Sequence, residues 1–491
     1  MAETKPTGVI RKLQKMMTDG SISCRELTQR YLSAIEKENP GLNAYIRVTP
    51  DIAMETAARV DEKLAKGIPL APLEGIPMTL KDNISTDGIE TTCCSKILAG
   101  YTPIYDAFVW KVLKAQNAVL LGKTNMDEFA MGSSSENSCY GGSNNPYNPQ
   151  YVAGGSSGGV ASAVSAHLAA YGLGSDTGGS IRQPASFCGI VGLKPTYGAV
   201  SRFGLIAYAS SLDQIGPITT TVEDAALVYD AICGADPMDS TCCGGEKVTP
   251  SLSGSLEGMR IGVAREYFDG IRQQDVTDAL NNAIAAYEKL GARIVPLELP
   301  VLQYALPVYY ILACAEAASN LGRYDGIRYG YRTSHYRTVD EMICKTRSEG
   351  FGPEVKRRIL LGNYVLSSGY YDAYYKKAQN LRQNILRALE DTFTQCDVML
   401  APTVPMTAFP KGFTSQSQVE TYLTDICTVP VNIAGLPGIS IPCGADKKGL
   451  PIGMQLIANR FCEKTLLSAA YGFEQATWQQ HIAPAPMGVM L

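Results

Sequence analysis

Residues 154–184 read GGSSGGVASAVSAHLAAYGLGSDTGGSIRQP, two glycine-serine turns separated by a run of small residues and a short apolar segment. The run from Val160 to Ala170 is rich in alanine, which favours a helix that packs closely. Tyr171 to Ser175 then reads as a strand. Glycines on both flanks let the backbone take positive φ or come close to a ligand, which turns N–H groups into a cavity. A flexible linker has similar composition but would not carry a packing helix. A strand and a helix bounded by such turns belong to an α/β architecture, and the chain on either side repeats the pattern.

Upstream, Ile76 to Ile84, Ala118 to Gly122 and, after the serine turns, Gly189 to Leu193 are short apolar runs with the spacing of strands. Arg260 to Ala264 and Arg293 to Leu299 flank an amphipathic helix over Asp275 to Leu290 that Gly291 ends, and Val398 to Ala401 returns as a strand. The segment from Tyr304 to Cys396 is mostly helical. At the N-terminus Ser23 and Glu26 form a capping box ahead of Leu27, Tyr31 and Ile35. Asp51 caps a second helix that carries Ala53, Ala57, Val60 and Leu64 and stops at Gly67. The expectation is an N-terminal helical segment over residues 1–70, followed by one continuous catalytic α/β unit over 71–491. The Gly- and Cys-rich stretch near residue 245 is the one internal place where that unit could divide.

The 491 residues carry a formal net charge of −4, with 45% hydrophobic and 18% charged side chains. A global basic footprint for nucleic acid or anionic membrane is absent, so an RNA partner has to be held mostly by another subunit. No apolar run is read as long enough to cross a bilayer, and no signal segment is read at residues 1–20. Fourteen cysteines are scattered without C-x-x-C spacing, which fits a reducing compartment and no metal site. The protein is expected to be soluble and cytoplasmic.

Three readings, two of them nucleophile schemes and one a phosphate-binding loop, fit parts of this sequence. Gly154 to Gly158 matches the G-x-S-x-G elbow with Ser156 as nucleophile, but that scheme needs a later histidine. Only three exist, and His167, His335 and His481 all stand in poor settings. Gly122-Lys123-Thr124 resembles the end of a P-loop, yet Asn117 stands where the first glycine belongs. The third reading uses lysine as the base: Ile76, Met78, Leu80 and Ile84 alternate, so Lys81 leaves a strand end toward the opposite face. A lysine in that position is more often a solvated cation. If buried, it can lose its proton near neutral pH and serve as a base.

Lys81, the turn Gly154 to Gly159 and the turn Asp176 to Ala185 together resemble the amidase signature family. Segments 125–133, 355–359, 369–375, 422–426 and 432–438 are similar to the glutaminase subunits of tRNA-dependent amidotransferases within it. The resemblance covers roughly residues 8–475 and implies a single domain with a large mixed β-sheet covered by helices. It also implies a Ser, cis-Ser, Lys triad: Ser180 as the acylated nucleophile, Ser156 beside a cis peptide as the bridge, and Lys81 as the base. Backbone N–H groups of Thr177, Gly178, Gly179 and Ser180 would receive the oxyanion.

By the same resemblance Arg358 and Asp425 take the carboxylate and ammonium of glutamine, with Arg357 the competing arginine. Tyr309 adds a hydroxyl, with Tyr310 the competing tyrosine. The implied partners are two further subunits in a heterotrimer and a misacylated tRNA bound mainly by one of them. No cofactor is implied in this chain, ATP and magnesium being expected in the partner kinase subunit. The alternative within the family is a stand-alone amidohydrolase acting on another small amide. Outside it stand a histidine-dependent esterase and an inactive scaffold subunit.

Overall fold

The structure is a computed structural model that describes residues 8–413 and 418–477. An eleven-stranded mixed sheet runs through it, with strands β1 (Tyr45–Val48), β2 (Pro77–Lys81), β3 (Val119–Thr124), β6 (Tyr171–Asp176), β7 (Val191–Lys194) and β8 (Gln214–Thr219) in its first half. Strands β9 (Arg260–Ala264), β10 (Arg293–Leu297), β11 (Val398–Pro402), β12 (Gly438–Ala445) and β13 (Pro451–Ala458) make up the rest. A small hairpin of β4 (Asn144–Asn145) and β5 (Asn148–Val152) stands apart. Across the sheet the order is β1-β3-β2-β6-β8-β7-β12-β13-β11-β9-β10. β3, β2 and β6 are mutually parallel, and so are β11, β9 and β10, while antiparallel pairs join the two groups. Strands on both sides of residue 245 therefore lie in one sheet. β1, from the N-terminal segment, pairs antiparallel with β3 at its edge, so residues 1–70 contribute a strand as well as helices.

Alternation along the strands divides the interior between two faces. On β11, Val398 and Leu400 join one hydrophobic cluster while Met399 and Ala401 join the other. The first cluster takes in the N-terminal helices and the helix Glu463–Thr477; the second takes in Ala305–Asn320 and Lys377–Thr392. Both faces are thus covered, and all five residues of β2 are buried. Met78 and Leu80 point into the first cluster, which sends Lys81 to the opposite side as the alternation requires. That side is also closed to water: Lys81 is fully buried, so the solvated reading of this lysine is wrong.

The two N-terminal helices begin in different ways. Ser23 caps Cys24–Leu42 in a complete capping box with Glu26. Replacing Ser23 with alanine is expected to cost about 1 kcal/mol of stability, read as a shift of the denaturation midpoint at unchanged slope. Asp51 does not cap the next helix. Thr49 holds that position and Pro50 starts Pro50–Ala65, because proline fits the first helical residue. Asp51 sits in the first turn, where the partial positive charge of the helix end favours a carboxylate. The alanine-rich helix spans Gly158–Ser165 and ends before His167, whose φ of 54° is left-handed. The stretch Pro300–Arg323 is long and apolar enough to cross a membrane, contrary to the expectation from sequence, and half of it is buried within the protein. Its helix Ala305–Asn320 packs against Pro353–Leu366 and Lys377–Thr392.

Candidate active site

Parallel β2 and β6 are neighbours, with Leu80 opposite Leu173, so their carboxyl ends bring Lys81 beside Ser175. Ligands in open α/β sheets bind outside such strand ends. The chain after β6 forms the second glycine turn, Thr177 to Ser180. The first turn packs on it, the Ser157 N–H donating to the Ser180 carbonyl at 3.1 Å. The peptide between Gly155 and Ser156 is cis. Gly155 admits no side chain: a Cβ there would overlap the Asp127 carboxylate and lie 2.8 Å from the Ser134 nitrogen. Its N–H donates to Gln183 Oε1 at 2.8 Å, which ties the two turns together a second time.

Lys81 Nζ lies 2.7 Å from Ser156 Oγ, 2.9 Å from Ser175 Oγ and 3.2 Å from the Ser175 carbonyl. Asn83 Nδ2 donates to the same Ser175 hydroxyl at 2.9 Å. Burial lowers the Lys81 pKa to about 7 against the opposing pull of Asp127, Asp176 and Asp213. A neutral amine has two N–H donors and one lone pair. Donating both hydrogens to the Ser175 oxygens directs the lone pair at Ser156. Ser156 is fully buried and Ser180 is 7% exposed, so Ser180 is the less enclosed of the two. Among the described residues Ser180 Oγ makes no hydrogen bond, and catalytic hydrogen bonds often tighten only when substrate is present.

The nucleophile turn is built around Asp176. Burial by itself would raise this carboxyl, but Arg182, at 3.0 Å, outweighs it and holds the carboxyl well below the usual range. Asp176 also accepts the N–H groups of Gly179 at 2.8 Å and Ile181 at 3.1 Å, and the Asn432 amide at 2.8 Å. The Gly179 N–H is therefore spent on Asp176, which corrects the expectation that it joins Thr177 and Gly178 as an oxyanion donor. A Cβ on Gly178 would lie 2.6 Å from the Tyr309 ring, so that ring covers the turn.

A cavity of about 320 Å³ is lined among others by Ser133, Glu354, Arg357, Arg358 and Tyr422, and neither serine turn contributes to its lining. Arg358 comes from the helix Pro353–Leu366 with its side chain 4% exposed, whereas that of Arg357 is 37% exposed. Arg358 Nε donates to Glu354 at 2.8 Å and Nη1 to the Tyr208 hydroxyl at 2.6 Å, and its guanidinium lies among the rings of Tyr208, Tyr310 and Tyr422. Among the described residues its Nη2 makes no hydrogen bond. Asp425 accepts from the Ser133 hydroxyl at 2.9 Å and the Tyr310 hydroxyl at 3.1 Å, and burial raises its pKa to about 7. Ser133 is linked back to the serine turns through its carbonyl, which accepts from Gln183 Nε2 at 2.6 Å.

The structure thus gathers Lys81, Ser156, Ser180, Thr177 and Gly178 at one point and Arg358 and Asp425 beside it. Tyr310, not Tyr309, bonds to Asp425, and Tyr309 lies over the nucleophile turn. His167 follows the helix Gly158–Ser165, His335 lies on the surface, and His481 falls outside the described residues. Sequence reading missed Ser133, Ser175, Asn83, Glu354 and Tyr208. Ser133 stands at the end of the segment 125–133 and carried a signal there, while the others had none without the fold. Among the described residues no group of three or more His, Cys, Asp or Glu could hold a metal ion.

A buried lysine bonded to one serine, with a second serine on the adjoining turn, has the parts of a nucleophilic hydroxyl and its base. The Amidase family model matches residues 26–467, and the chain belongs to that family. More particularly, it is 51% identical over 475 residues to the A subunit of the glutamyl-tRNA(Gln) amidotransferase of Thermosynechococcus vestitus, covering 96% of this chain and 98% of that one. The protein of the same name from Thermoanaerobacter pseudethanolicus is 52% identical over 469 residues, covering 95% and 96%. Among solved structures, the corresponding glutamyl-tRNA(Gln) amidotransferase protein from Thermotoga maritima superposes with a TM-score of 0.82 at 37% identity, over 100% of this chain and 99% of that one. The peptide amidase of Stenotrophomonas maltophilia gives 0.81 at 30% identity, over 99% of both.

Proposed function

We propose that this chain is the glutaminase subunit of a tRNA-dependent amidotransferase, and that it generates ammonia from glutamine through a γ-glutamyl ester on Ser180. The observation that carries the reading is the 2.7 Å contact between buried Lys81 and Ser156, on the turn adjoining Ser180, in a chain half identical to such subunits over nearly its whole length.

Neutral Lys81 takes the Ser156 proton while Ser156 takes that of Ser180, and the Ser180 oxygen forms a bond to the side-chain carbonyl carbon of glutamine. The oxyanion is received by backbone N–H groups of Thr177, Gly178 and Ser180. The proton returns through Ser156 to the leaving nitrogen, the carbon–nitrogen bond breaks, and ammonia departs. Water, deprotonated by the same relay, cleaves the ester to glutamate and restores the serine. Arg358 Nη2 is open to the α-carboxylate, and Asp425 is placed to pair with the α-ammonium.

The ammonia is delivered to Glu-tRNA(Gln), or to Asp-tRNA(Asn), on another subunit of a cytoplasmic heterotrimer, where ATP and magnesium activate the misacylated end. Supplying the chain with its two companion subunits, ATP and Glu-tRNA(Gln) should yield the glutaminyl product with glutamine as nitrogen donor. Failure to form it, with free glutamine still hydrolysed, would remove the transfer role. The fold shared with the peptide amidase favours a second reading, a stand-alone hydrolase of other amides. Arg358 and Asp425 separate the two. Arg358→Gln should raise the KM for glutamine roughly 10- to 100-fold, while Arg357→Gln should change it less than about threefold because its ion pair is exposed. Initial rates of ammonia release measure both, and a larger effect at Arg357 than at Arg358 would reverse the choice of arginine.

A further inference from the structure

The peptide unit between Gly178 and Gly179 is held at both ends. Its N–H donates to Asp176 Oδ1 at 2.8 Å, and its carbonyl oxygen lies 2.6 Å from the hydroxyl of Thr428, which is fully buried. Thr428 comes from a distant part of the chain, the start of the helix Val429–Ile433. Its hydroxyl has one proton and two carbonyls in reach, Gly178 at 2.6 Å and Asp425 at 3.1 Å, and the shorter contact takes the proton. Arg182, which pairs with Asp176, also donates to the Thr428 carbonyl at 3.2 Å. The nucleophile turn is thereby enclosed between Asp176 and Thr428, with Tyr309 over Gly178.

A peptide unit is planar, so holding its N–H and its carbonyl fixes that plane and the two Cα atoms it shares with the units on either side, which limits how those units can turn. Those two units carry the N–H groups of Gly178 and Ser180, which the proposed mechanism uses to bind the oxyanion. Without the Thr428 hydroxyl the Gly178 carbonyl would lose its one hydrogen bond among the described residues. Gly178 and Gly179 lack side chains and would let the unit rotate. We propose that Thr428 is a positioning residue for catalysis that aims the oxyanion donors by pinning this peptide. The Thr428 N–H also donates to the Asp425 carbonyl at 3.1 Å, so the residue that pairs with the substrate ammonium and the residue that pins the turn share one bend of the chain.

The proposal rests on the serine-lysine reading above. Its test is Thr428→Val, which keeps the shape and deletes the hydroxyl, against Thr428→Ser, which keeps the hydroxyl. Because a single oxyanion donor is typically worth about 10²- to 10³-fold in kcat and Thr428 acts on donors indirectly, the valine variant should lose roughly 10- to 100-fold in kcat. Its KM for glutamine should stay within about threefold, and the serine variant should retain kcat within about threefold. If valine impairs folding, Thr428→Ala, judged by its thermal melt, replaces it with the same expectation. Unchanged kcat in the valine or alanine variant, an equal fall in the serine variant, or a loss confined to KM would each overturn the role. Running the series on butyramide as well as glutamine keeps the two readings apart. A wild-type chain that cleaves butyramide but not glutamine removes the glutaminase reading, and the kcat loss of the valine variant on butyramide still decides the role of Thr428.

Discussion

Ser180→Ala should abolish glutamine hydrolysis, lowering kcat by on the order of 10⁴-fold or more, as loss of the attacking oxygen does in covalent hydrolases. The reason is geometric: Ser156 is sealed at the lysine, and Ser180 is the less enclosed serine, on the adjoining turn. Glutamine should still bind to the variant, since Arg358, Asp425, Ser133 and Tyr310 are untouched. Isothermal titration against glutamine, beside ammonia release, separates the two. Retained turnover with lost binding would point to a different nucleophile and a structural role for Ser180.

The second large effect concerns Lys81. Its pKa of about 7 comes from burial, which opposes the charged form, and the catalytic form is the neutral one. As pH falls below 7 the lone pair is lost, so kcat at saturating glutamine should fall about tenfold per unit, and above 7 it should level off. Asp425 must be ionised to hold the substrate ammonium, and its pKa in the free protein is also about 7. Below pH 7, kcat/KM should therefore fall about 100-fold per unit, because the free enzyme loses both groups, whereas bound ammonium keeps Asp425 ionised in the complex. Lys81→Arg should remove activity at every accessible pH, because arginine stays protonated.

The proposed triad is read from the family resemblance and not from local signal alone, because a lysine ending an alternating strand is ordinarily solvated and the glycine turn around Ser156 equally fits an elbow that needs a histidine. What sequence leaves open is decided by long-range packing. Whether Lys81 meets water depends on layers that cover both faces of the sheet, and one of them, with Ala305–Asn320 and Lys377–Thr392, comes from far along the chain. Tyr309 and Tyr310 are adjacent on one helix, so only the direction of Asp425 tells them apart. Arg357 and Arg358 differ by one step around a helix, which puts one beside three aromatic rings and the other toward solvent. The N–H of Gly179 is lost to the oxyanion because Asp176, three residues earlier, competes for it, and a run of glycines does not reveal that competitor. Asp51 is not the cap because proline at residue 50 sets the start of the helix by itself.

Mass spectrometry after treatment with a glutamine-derived electrophile, repeated between about pH 5.5 and 8.5 to span the titration of a buried amine, bears most directly on the claim that an uncharged Lys81 activates Ser180 through Ser156. The adduct should reside on the peptide containing Ser180 alone, form at a rate that drops below pH 7, and vanish in Lys81→Arg. Labelling at Ser156 or a cysteine, or labelling of Ser180 at a rate indifferent to both pH and Lys81, would contradict it.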